Sequence, residues 1–230
     1  MGIASGNGWT LRTEKTMAEL DYKILSSGSI GNAVRIRNIM IDCGIAFNKM
    51  KEDLYKCQYL LITHDHQDHV KPAVLNQIVS QFPNIEIYST YKVARINDAV
   101  TAINTDYLPI WLARAGCNMW AIPVPHNTLC FGYVLRFDDL DILYATDLKN
   151  TVELGRFTEE TGIRYDYTFL EANYDETKLR MLGNEWHGQY NAYVDSSERH
   201  LSKDEALRFY ARFRKEGGEL IELHKSTRFY

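Results

Sequence analysis

The chain has 230 residues, 45% of them hydrophobic, and a formal net charge of -4. That is enough apolar material to bury a core as one domain or a tightly fused pair, and the acidic balance does not resemble that of a dedicated nucleic-acid binder, whose domains usually carry a strongly basic face. No apolar run approaches the roughly 20 residues a membrane span needs, and no basic-then-apolar leader opens the chain.

Residues 1–16, MGIASGNGWTLRTEKT, are Gly-rich, polar and without period, so a flexible tail is expected there and a single domain over 17–230. From Leu20 the expected strands are LDYKIL, AVRIR, IMID, YLLIT, IEIYS, NMWAIPV, GYVLRF, DILYAT, YTFLEA and ELIEL, each bounded by Gly, Asn, Asp or Pro. The early strands follow one another closely and the later ones alternate with helical patterns, which points to layered sheets with helices outside. Cys43, Cys57, Cys117 and Cys130 form no C-x-x-C pair, in keeping with reduced, partly buried thiols and a cytoplasmic setting.

Directly after YLLIT stands HDHQDH, residues 64–69, with three histidines and two aspartates in six positions. The next segment, KPAVLNQIVSQF, has Pro72 in its first turn and Val74, Leu75, Ile78, Val79 and Phe82 on one stripe, so a helix begins where the cluster ends. His64 and His66, two apart, share a side only if the chain is extended there, and Asp68 with His69 then offers a hard oxygen and an imidazole to a second ion. The spacing suits two metals better than one.

Towards the C-terminus, SKDEALRFYARFRKEGG has a capping box in Ser202 and Glu205, a stripe of Ala206, Phe209, Tyr210 and Phe213, and an expected stop at Gly217-Gly218. A capped helix start presents N–H groups and a positive dipole end to a phosphate oxygen, which makes Ser202 a candidate substrate contact with His200 beside it. Arg208, Arg212, Arg214, Lys215, Lys225 and Arg228 are expected near the site, mixed with aromatics. The polar stretch between Glu171 and His200, which holds Trp186 and His187, is long enough for a lid or a contact between copies of the chain.

The HDHQDH segment resembles the H-x-H-x-D-H signature of the metallo-β-lactamase fold, and the likeness can be followed from Leu20 onward. It implies a four-layer αββα sandwich of the α+β or α/β class. Carried over, it implies one metal held by His64, His66 and His126, a second by Asp68, His69 and His224, and Asp147 shared between them. The short motifs LSSGSIGNA, YATD, FLEANYD and RHLSKDEA are similar to the phosphodiesterase branch of that fold, above all to WalJ-like and prophage-encoded members related to tRNase Z and RNase J. In that branch Glu171 would orient a histidine and His200 would protonate the leaving group. The expected reaction is hydrolysis of a phosphodiester, in nucleic acid or a cyclic nucleotide, by a metal-bridging hydroxide that Asp68 and Asp147 help to orient. A His-rich shell favours zinc, with manganese as the alternative because carboxylates share the sites. A lactonase or thioesterase of the same fold, or a non-catalytic metal-stabilised binding module, are the other readings.

Overall fold

The computed structural model describes residues 19–104, 106–185, 199–226 and 230. The tail expected over 1–16, Trp186, His187 and Arg228 lie outside that range. The strands are β1 (Tyr22–Ser26), β2 (Ala33–Ile36), β3 (Ile39–Ile41), β4 (Tyr59–Leu61), β5 (Glu86–Ser89), β6 (Val100–Ala102), β7 (Ile110–Leu112), β8 (Cys117–Val124), β9 (Cys130–Phe137), β10 (Asp141–Ala145), β11 (Tyr165–Glu171) and β12 (Arg214–Leu223). The helices are α1 (Phe47–Leu54), α2 (Pro72–Gln81), α3 (Tyr91–Ala94), α4 (Val152–Thr161), α5 (Glu176–Glu185) and α6 (Lys203–Phe213).

Two six-stranded sheets result, ordered β1-β2-β3-β4-β5-β6 and β12-β11-β10-β9-β8-β7. In the first, β3 to β6 run parallel behind an antiparallel β1-β2-β3 meander; in the second, β10 to β12 run parallel behind an antiparallel β7-β8-β9-β10 ladder. Three apolar layers hold the sandwich together. Ile36, Ile41 and Leu61 meet Phe131, Tyr133 and Phe169 between the sheets. Met50, Leu54, Leu75 and Ile78 of α1 and α2 cover the outer face of the first sheet, and Leu154, Phe157, Ala206, Phe209 and Phe213 of α4 and α6 cover the second. This is the expected αββα arrangement. Because both faces of each sheet are covered, strands such as β2, β4 and β10 are buried throughout rather than alternating.

All ten expected strands form; β6 and β7, short edge strands with little alternation, are additional. Helix α2 begins with Pro72 at its first position, as its sequence required, and buries Val74, Leu75 and Ile78. The end of α6 differs from expectation. The helix stops at Phe213, four residues before Gly217, and the chain turns extended at Arg214 to start β12. Gly217, at φ +75°, sits where the β11-β12 register shifts, and a Cβ on Gly218 would meet the Tyr165 carbonyl oxygen at 2.8 Å. The glycine pair therefore serves a bulge inside a strand, not a helix stop. Among the described residues no helix is long and apolar enough to cross a membrane.

Candidate metal centre

The parallel strands of the two sheets end on the same side of the sandwich, and there the chemistry collects, as it does at the carboxyl edge of open α/β sheets. Asp42 follows β3, His64 to His69 follow β4, His126 follows β8, Asp147 follows β10, Glu171 is the last residue of β11, and His224 follows β12. Asp42, Asp147 and His224 have φ of 63°, 55° and 52°, the left-handed region that Asp and His tolerate better than most residues. A strand that ends in such a residue turns sharply, which leaves its side chain at the sheet edge.

The donors form two groups. His64, His66 and His126 bring one ring nitrogen each within 4.8 Å of the others, and so do Asp68, His69, Asp147 and His224 with one donor atom each. In the first group Nε2 of His64 lies 3.0 Å, and Nε2 of His126 3.3 Å, from Nδ1 of His66. Three imidazole nitrogens cannot all satisfy one another by sharing protons. Burial holds His64 far below the usual imidazole range and His126 down to about 4, so both are neutral with lone pairs to give. In the second group Nε2 of His69 approaches Oδ2 of Asp147 to 2.8 Å, outside hydrogen-bond geometry, and Oδ2 of Asp147 and Nε2 of His224 are buried without a hydrogen-bond partner among the described residues. Converging, unsatisfied nitrogen and carboxylate donors fit divalent cations.

A third group shares His224. Nδ1 of His200 lies 2.6 Å from Oε1 of Glu171, and the same oxygen lies 3.0 Å from Nδ1 of His224. Glu171 is fully buried, and Oε2 accepts the Leu148 N–H at 3.0 Å. Burial would raise its carboxyl, but the hydrogen bonds from His200 and His224 hold it below the usual range. In return, burial alone would lower His200, and the Glu171 carboxylate with Asp147 nearby raises it instead. His224 behaves likewise: Asp147 and Glu171 outweigh its desolvation and lift it to about 9. The His200 and His224 rings stack with centroids 5.1 Å apart.

Several supports were invisible in the sequence. Asp42, completely buried, accepts from the Thr63 N–H at 2.8 Å and lies 2.8 Å from Nδ1 of His69, while Thr63 Oγ1 reaches Nδ1 of both His64 and His69 at 3.0 and 3.1 Å. These contacts fix ring orientation from behind the donors. Asn32 ties the β1-β2 turn to the cluster, with Nδ2 donating to the Asp68 and Gly28 carbonyls. Gly44 lets the two loops meet, since a Cβ there would fall 1.7 Å from the Asp68 carbonyl oxygen. The only sequence signal was polar or glycine residues at strand ends, which many loops share.

A cavity of about 400 Å³ opens over the donors and is lined by His66, Asp68, His126, Asp147, His200 and His224. Ser202 is not in it. That residue is buried, and its hydroxyl caps α6 by accepting from the Glu205 N–H at 3.2 Å while donating to Glu176 at 2.8 Å; the Lys203 N–H is taken by the Tyr174 carbonyl. The Lys203 and Glu205 N–H groups of the first turn are thus satisfied within the chain, and the Ser202 hydroxyl is engaged away from the cavity. Of the expected cations, those among the described residues do not line the cavity. Lys215 binds Asp166 and Asp141 at the amino ends of β10 and β11, Arg214 pairs with Tyr165 at that same far end, and Arg212 pairs with Glu159. Arg208 and Lys225 do not line the cavity either; among the described residues, the lysine and arginine that line it are Lys149 and Arg199.

The family model of the beta-lactamase superfamily domain matches residues 37–224, a span that contains every donor named above. The chain belongs to the beta-lactamase superfamily. Within this superfamily the fold is similar to YhfI from Bacillus subtilis, at 16% identity and a TM-score of 0.66, over 89% of this chain and 85% of that one. It is similar to the short form of human tRNase Z at 17% identity and a TM-score of 0.61, over 90% and 93% of the two chains. It also resembles CmlA, a diiron β-hydroxylase from Streptomyces venezuelae, at 17% identity and a TM-score of 0.57, over 90% of this chain but 45% of that longer one. A search of curated proteins returned no match. Superfamily membership and the His/Asp clusters together support a metal-dependent hydrolase.

Proposed function

We propose that this protein is a phosphodiesterase that works with two divalent metal ions. The observation that carries the reading is His200, an imidazole held by Glu171 at 2.6 Å in the wall of the cavity that His66, Asp68, His126, Asp147 and His224 also line. His64, His66 and His126 would hold one ion and Asp68, His69 and His224 the other, with Asp147 shared. Mixed imidazole and carboxylate donors suit zinc first and manganese second. Such ions, when bound, make water acidic enough to attack near neutral pH and offset negative charge on phosphoryl oxygens.

The chain's own residues do the rest. Asp68, whose side chain is 25% exposed, faces the cavity as an anion that can orient the attacking water. Glu171 occupies Nδ1 of His200, which fixes the ring and leaves Nε2 as the atom that delivers a proton to the departing oxygen. A poor leaving group such as a nucleoside alkoxide needs that proton, whereas an aryl oxide does not. The likeness to a tRNase is in keeping with a nucleic-acid substrate.

The test is turnover of a panel with zinc or manganese added: a bis-aryl phosphate, 3′,5′-cyclic nucleotides, single- and double-stranded DNA and RNA, a lactone and a thioester. Diesters should be hydrolysed and lose turnover in His64→Ala. The reading falls if the lactone or the thioester is cleaved better than every diester.

A further inference from the structure

Both backbone polar groups of His224 are taken by side chains. Its N–H donates to Ser27 Oγ at 2.8 Å, and its carbonyl accepts from Asn173 Nδ2, also at 2.8 Å. Ser27 follows β1 in the first sheet and Asn173 follows β11 in the second, so the two contacts come from both halves of the sandwich. Between them His224 sits at φ 52°. A residue with a Cβ keeps such a conformation where its surroundings over-determine it.

We infer that Ser27 and Asn173 are positioning residues for the second metal ion: as a pair they brace the His224 backbone in the left-handed turn that aims its ring at Asp68 and Asp147. The inference rests on the part of the proposed function that gives the second ion to His224, and it is independent of the substrate.

Three observations support it. The first is where the ring goes. Nε2 of His224 lies 4.0 Å from Oδ2 of Asp68 and 3.8 Å from Oδ2 of Asp147, while Nδ1 lies 3.0 Å from Oε1 of Glu171. Glu171 can fix the rotation of the ring, but only bonds to the N–H and C=O restrain φ and ψ, and a buried turn that leaves the ladder needs partners for both groups.

The second is that each brace is itself anchored to a segment that bears another functional side chain. The Asn173 N–H donates to the Leu201 carbonyl at 2.9 Å, next to His200, and the Asn173 carbonyl accepts from the Ser226 N–H at 2.8 Å. Ser27 precedes Gly28, whose N–H donates to Asn32 Oδ1 at 2.8 Å, and Asn32 Nδ2 donates to the Asp68 carbonyl at 3.3 Å. One turn thus sets His224 and Asp68, donors from opposite sheets, relative to each other.

The third is a contrast. Asp42, also at positive φ, gives its N–H to the Leu61 carbonyl, a main-chain partner that no substitution removes. His224 relies on side chains, and its brace can be taken away by mutation.

The test measures zinc binding by the full chain in competition with a chelator, together with the absorption spectrum of the cobalt-loaded protein. His224→Ala marks which binding step belongs to that site. Ser27→Ala and Asn173→Ala should each weaken that step about tenfold or more, alter the cobalt spectrum, and leave the other step as in the wild type. Ser27→Thr keeps the accepting oxygen and should bind zinc normally. Ser27 is half-buried, so its alanine variant removes no core packing and decides the matter alone if Asn173→Ala does not fold. Wild-type affinity at the His224 step in Ser27→Ala, or in a folded Asn173→Ala, overturns the brace, whatever happens to the melting temperature of the metal-free protein. Loss of that step in His224→Ala would in that case leave the metal assignment standing. If His224→Ala binds both ions as the wild type does, the brace and the assignment fall together.

Discussion

One oxygen of Glu171 serves two imidazoles: Oε1 lies 2.6 Å from Nδ1 of His200 and 3.0 Å from Nδ1 of His224. A single buried carboxylate thus couples the cavity-facing histidine to a member of the donor cluster. Its charge stabilises the protonated ring on one side and orients a donor on the other.

His200→Ala is therefore expected to keep its metal while losing turnover on diesters with poor leaving groups by about 10² to 10⁴. The loss on a bis-aryl phosphate should be far smaller, because an aryl oxide departs unprotonated. Steady-state kinetics on both substrates, with metal content measured in parallel, check this. Full activity on natural diesters would remove His200 from the mechanism.

Asp42 is not among the cavity-lining residues, yet it lies 2.8 Å from Nδ1 of His69. Asp42→Asn preserves shape but takes away the negative charge behind that ring. Metal affinity should fall about 10- to 100-fold, measured by competition with a chelator. Near-native circular dichroism together with unchanged affinity would show that the contact only packs.

Gly44→Ala places a methyl group 1.7 Å from the Asp68 carbonyl oxygen, a backbone atom that cannot rotate away. The expected cost is about 3 kcal/mol of stability, with loss of metal because the Asp68 loop must move. A denaturation midpoint and metal content equal to the wild type would contradict the close approach.

Far from the site, Asp53 is buried between Arg35 at 3.1 Å and Lys23 at 2.7 Å. Burial raises its carboxyl, but hydrogen bonds from Lys23 and Arg35 outweigh that and lower it below the ordinary value. A depressed folded-state pKa stabilises the protein above about pH 3.9, and that contribution is lost as pH falls through the folded value. Asp53→Asn should cost about 2 kcal/mol near pH 7, and the gap to the wild type should close in acid. A gap that is independent of pH, seen in urea melts at pH 7 and pH 3, would mean that the charge contributes nothing.

The donor set was legible because its largest part is local. His64, His66, Asp68 and His69 sit on one strand-to-helix loop, where apolar β4 and Pro72 mark both borders. His126, Asp147, Glu171 and His224 each end an apolar run, and a sheet that orders those runs side by side must gather their ends. The Ser202 cap was legible for the same reason, since a capping box is a matter of four consecutive residues. Its occupancy was not, because Glu176 and Tyr174 come from a different segment. The cations were misplaced by the same limit: Lys215 is nine residues from His224 along the chain, but a strand of that length carries it to the opposite end of the sheet.

What the sequence determined by itself is everything governed by nearest neighbours: strand and helix periodicity, the cap of α6, the first turn of α2, and the residue types at the strand ends. Tertiary structure alone decided that Asp42 backs His69, that Gly44 clears Asp68, that Gly217 and Gly218 bulge a strand, and that Lys149 and Arg199 share a cavity with His200. Those outcomes depend on which strand lies beside which, and contacts between residues far apart in the chain are made by packing and register, which no local pattern encodes.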